Sequence, residues 1–60
     1  MSYVTVVRAD NGKGWCAQYN KHNPTTKTYE HTKGESRKYH HDAVTDARYI
    51  ALHNNVQYIG

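Results

Sequence analysis

The chain has 60 residues, with eight Lys and Arg against five Asp and Glu, a formal net charge of +3 and a pI near 9.2. Mean hydropathy is −1.02, and no apolar run approaches the roughly 20 residues of a membrane span, so the expectation is a cytoplasmic protein with no membrane partner. Cys16 is the only cysteine; an intramolecular disulfide is impossible and a reduced thiol is expected.

A chain of this length buries only about 60% of its unfolded surface, which predicts one thin domain over residues 1–60 and makes self-association, as a homodimer, the expected staple. Six tyrosines, five histidines and one tryptophan stand beside no phenylalanine at all. Each of these rings has a polar tip, which suits a contact surface better than a deep apolar core.

Residues 3–9 are rich in β-branched side chains and predict a first strand. Asn11-Gly12 within 10–14 is a hairpin signal, because both residues tolerate positive φ. Residues 15–20 form the returning strand, with Trp15, Ala17 and Tyr19 on one face by the period of two. On the first strand either Tyr3, Thr5 and Val7 or Val4 and Val6 face inward; the pattern leaves both open. A turn over 21–25 follows, where Pro24 stops strand pairing, and residues 26–32 make a third strand. Residues 33–38 read as a basic loop.

Residues 42–53 predict the helix: Ala43, Val44, Ala47, Ile50 and Ala51 fall on one stripe. Asp42 and Asp46 suit the positive end of its dipole, Asn54-Asn55 offers a left-handed cap, and residues 56–59 can add a last strand. The expected fold is α+β, a three- or four-stranded antiparallel sheet with one helix packed on it.

Two faces are candidates for contact. Lys33, Arg37, Lys38, Tyr39, His40 and His41 lead into the helix start, where cations and free amides hold phosphate and a ring can stack on a base. Strand rings such as Trp15, Tyr19 and Tyr29 would extend that nucleic-acid surface. On the outer side of the helix, Thr45, Arg48, Tyr49 and Leu52 form a partner face of the kind enriched in interface hot spots. The partners expected are therefore nucleic acid or an acidic protein surface. Adjacent His40 and His41 lack metal-ligand spacing, as does the lone Cys16, so neither metal nor cofactor is expected. Histidine with lysine and tyrosine suggests acid–base cleavage of RNA, and the carboxylates Asp42 and Asp46 suggest a nuclease. The dipole already accounts for both carboxylates, and so short a chain has little room for a walled cleft. The expectation is a non-enzymatic regulator.

The segment Gly34 to Leu52, with His41-Asp42-Ala43-Val44-Thr45-Asp46-Ala47 at its centre, resembles the last strand and helix of double-stranded-RNA-binding domains. Those domains carry two lysines where His40 and His41 stand, and they open on a helix that has no counterpart here. The β-β-β-α-β order is similar to HicB-type antitoxin domains, which are small partial RNase H-like folds, and loosely to plant ethylene-response DNA-binding domains. These resemblances share an alanine-rich helix lying on a sheet, so they imply architecture rather than activity. The size and composition also suit a phage- or mobile-element-type inhibitor of a host or defence protein.

Overall fold

The computed structural model describes residues 1–60. Three strands lead: β1 (Tyr3–Arg8), β2 (Trp15–Asn23) and β3 (Thr28–Lys33). They pair as consecutive antiparallel hairpins. Helix α1 (His40–Asn54) then crosses the sheet and leads to β4 (Gln57–Tyr58). The sheet order is β3-β2-β1-β4. The architecture is therefore α+β, in the order β-β-β-α-β.

The sheet is mixed, because β4 runs parallel to β1. Chain direction explains this. Two hairpins leave β3 running the same way as β1, the helix returns across the sheet, and the next strand must again run with β1. The antiparallel expectation thus holds for the two hairpins and not for β4.

Val4 and Val6 face the helix. Val4 lies opposite Tyr19, and Val6 opposite Ala17. The core is Val4, Ala17, Ala47 and Ala51, flanked by Val6, Tyr19, Ile50, Val56 and Tyr58. Ala43, Ala47 and Ala51 are the buried stripe of the helix. Having no side chain beyond Cβ, they let the helix backbone sit close to Ala17 on the sheet. The helix lies over β1, β2 and β4 and does not reach β3. The molecule measures 36 × 23 × 15 Å. No helix is long and apolar enough to cross a membrane.

Several boundaries differ from the sequence expectation. The first hairpin is not a two-residue Asn-Gly turn. Its positive φ values fall at Gly12 and Gly14, and Asn11 instead accepts a hydrogen bond from the Lys13 amide through its side chain at 2.8 Å. Strand β2 continues through Asn23, so the turn begins at Pro24, a position that requires no strand N–H. Asn23 organises that turn, its Oδ1 accepting from the amides of Thr25 and Thr26 at 3.0 and 3.4 Å. The helix starts at His40, earlier than its amphipathic stripe suggests. Its N-cap, Tyr39, supplies no side-chain cap, so the start is set by how the preceding segment is held. At the other end, Asn55 adopts the left-handed conformation, and its N–H caps the carbonyls of Ala51 and Leu52.

Candidate nucleic-acid interface

The segment before the helix is pinned to the sheet. Gly34 donates its amide to the Ala17 carbonyl at 2.8 Å, and Arg37 exchanges two backbone hydrogen bonds with Trp15 at 2.6 and 2.7 Å. The bridge places Arg37 beside Trp15 at the start of β2. From there its guanidinium forks onto Asp46 of the helix, Nε donating to Oδ2 at 2.8 Å and Nη2 to Oδ1 at 3.2 Å. Glu35 lies 3.7 Å away. The hydrogen bond to Asp46, reinforced by its charge, holds the guanidinium pKa above the usual value. Asp46 therefore has a second structural use besides the helix dipole. A planar fork engaged on a carboxylate is not available to grip phosphate without first breaking that pair.

Lys33 is also engaged. It closes β3 rather than opening a loop, and its ammonium donates to Asp10 in the first hairpin. That hydrogen bond raises its pKa. The pair borders a cleft of about 260 Å³ whose lining includes Cys16 and Ser36.

The remaining members of the basic segment converge with two residues from the first hairpin. Arg8 and Trp15 are paired in the β1–β2 register, and the Arg8 guanidinium lies 4.6 Å from the centre of the indole. The His40 ring meets the same indole edge-on at 4.9 Å. Tyr39 stacks on His41 at 5.6 Å with an interplanar angle of 11°, and the Lys38 ammonium lies 5.5 Å from the Tyr39 ring. Arg8 and Lys38 form no ion pair. His41 is 3.4 Å from Asp42. Two clusters of rings and cations therefore form the edge at the helix start: Arg8, Trp15 and His40 in one, and Lys38, Tyr39 and His41 in the other.

Six residues were expected together at this edge, and Lys38, Tyr39, His40 and His41 do gather there. Lys33 sits on the other side of the sheet, and Arg37 is directed at the helix. Arg8 is the residue that sequence reading passed over. Its signal was the hairpin itself, because a turn centred on Asn11-Gly12 sets position 8 opposite position 15.

The other rings expected to contact nucleic acid separate. Tyr19 packs against the core. Tyr29 lies on the sheet face away from the helix, 5.8 Å from Tyr3 and 5.1 Å from His22. On that same face Asn20 is buried, accepting from Gln18 at 2.7 Å and bonded to His31 Nδ1 at 2.6 Å.

The outer helix face is as open as its sequence suggested. Leu52 is 79% exposed and Tyr49 63%. Tyr49 packs on His53 at 4.1 Å. Arg48 lies 6.0 Å from the Tyr58 ring, and the Thr45 hydroxyl donates back to the His41 carbonyl. His40 and His41 diverge onto different rings, and no three His, Cys, Asp or Glu side chains gather into a metal-holding group.

No protein-family model, curated protein or solved structure significantly matches this chain.

Proposed function

We propose that this chain is a small, non-enzymatic, cytoplasmic regulatory protein that binds RNA or DNA at the edge formed by Arg8, Trp15 and Lys38–His41. One observation carries the reading: Arg8 and Lys38, both free of carboxylates, lie over the rings of Trp15 and Tyr39, and His40, next to Tyr39 in the chain, packs on Trp15. Phosphate attracts such cations irrespective of base sequence, and an adjacent ring offers a stacking surface to an unpaired base. Arg37 supports the edge by latching its segment to the helix, and Lys33 lies outside it.

Trp15 is the single tryptophan, so its fluorescence reports occupancy of the edge. Titration with single-stranded and duplex RNA and DNA should change the emission, with affinity falling steeply between about 50 and 200 mM salt. Arg8→Ala and Lys38→Ala should each weaken binding and flatten the log–log salt slope by about one. Lys27→Ala, in the turn at the far end of β2, should change neither. Equal effects of Lys27→Ala and Lys38→Ala would mean diffuse charge attraction and no site.

A second reading is supported by the outer helix face. Exposed Leu52 and Tyr49 beside Arg48 suit an acidic protein surface, as in an inhibitor of phage or mobile-element type. Capture of a specific protein from nuclease-treated lysate, abolished by Leu52→Arg with helicity retained, would carry it; capture unaffected by that substitution would remove it.

A further inference from the structure

Strand β3 is exposed at every one of its residues, Thr28 to Lys33, and the helix does not reach it. Its far edge pairs with no strand. The backbone groups on that edge can be named. Gly34 donates its amide to Ala17, and bonded positions recur at every second residue of an antiparallel ladder. Thr32, Glu30 and Thr28 therefore bond to β2, while Tyr29, His31 and Lys33 turn their N–H and C=O groups outward. Such a row is a template for another strand, and proteins commonly guard it with lysine. Here the one lysine on the row is drawn away, its ammonium reaching back across the sheet to Asp10.

We propose that β3 pairs antiparallel with β3 of a second copy of this chain, giving one sheet continuous through both molecules. A two-fold axis perpendicular to the sheet keeps both helices on the same side, so a residue can face only one of its own parity. Two registers then use most of the strand. One is centred on Glu30 and sets two carboxylates directly opposite each other, a repulsive arrangement. The other is centred on His31. Tyr29 then lies opposite Lys33 of the second copy, and Glu30 opposite its Thr32, so that no carboxylate faces another. His31 meets its own symmetry mate, and the two exchange backbone hydrogen bonds across the axis. Avoidance of that carboxylate repulsion selects this second register.

Sedimentation equilibrium over about 10 to 500 µM should show a dimer. His31→Pro removes the N–H that faces the axis and leaves the bonds to β2 in place, so it should raise the dissociation constant at least about tenfold with the circular dichroism spectrum retained. His31→Ala keeps that N–H and should dimerise like the parent chain. Should His31→Pro unfold, His31→Cys decides. Residues facing each other across the axis lie about 5.5 Å apart at Cα, within disulfide reach, so mild oxidation should cross-link them. The parent chain, whose only thiol is buried, should stay uncross-linked. A monomer at all concentrations overturns the proposal, as does failure of His31→Cys to cross-link. A dimer dissociated by Leu52→Arg and untouched by His31→Pro also overturns it, placing the interface on the helix.

Discussion

Gly14 carries φ 99°, and a Cβ there would run into the backbone carbonyl of Arg37. Only glycine meets both conditions, positive φ and close backbone approach. Through that contact one residue in the first hairpin permits the docking of the segment that carries Lys38, Tyr39 and His40. A neighbouring residue pair makes a different kind of tie. Lys33 is hydrogen-bonded to Asp10, and its pKa is raised above the ordinary 10.5. A cation whose pKa is higher folded than unfolded stabilises the fold at pH values below the unfolded pKa, and that contribution is lost as pH rises through the folded value. The lysine is solvent-exposed, so its effect is small. The difference in urea midpoint between the parent chain and Lys33→Met should be present at about pH 7 to 9 and should shrink as pH rises past the ordinary lysine value of 10.5 and through the raised folded one. Tyrosine ionisation is common to both proteins and cancels in the comparison. A difference that persists at high pH would mean that the lysine stem, and not its charge, supplies the stability.

Among the elements, the helix depends most on side-chain size. Its stripe of Ala43, Ala47 and Ala51 is buried against a sheet that offers Ala17 and Val4, so there is no spare volume at the contact. Ala47→Leu should destabilise by about 1–3 kcal/mol through overpacking, read by urea denaturation followed through Trp15. A neutral or stabilising result would show that the helix can lift from the sheet without loss. The stripe was legible because alanines at helical spacing among polar residues have one plausible burial face. The helix start was not legible, since Tyr39 has no capping side chain and the Trp15–Arg37 bridge holds the preceding segment. Likewise, Pro24 hid the end of β2. A proline just after a strand and one within a turn leave the same local signature, and pairing of His22 and Asn23 with β3 decides between them.

Across the whole molecule, the same thinness that limits the core exposes both proposed surfaces. A single helix covers β1, β2 and β4, leaving β3 bare on both faces and along its edge. Composition, periodicity and turn chemistry by themselves determined the α+β class, the three leading strands, the alanine face of the helix and the openness of Leu52 and Tyr49. These are local properties, set by residues within a few positions of one another. Tertiary structure alone decided that Val4 and Val6 face inward, that β4 joins parallel to β1, and that the His40 ring meets Trp15. It also decided that Lys33 and Arg37 are held by Asp10 and Asp46, on opposite sides of the sheet. Clustering of charge in sequence does not determine which partner each charge finds, because pairings across nine or more residues depend on strand register and on the path of the chain over the sheet.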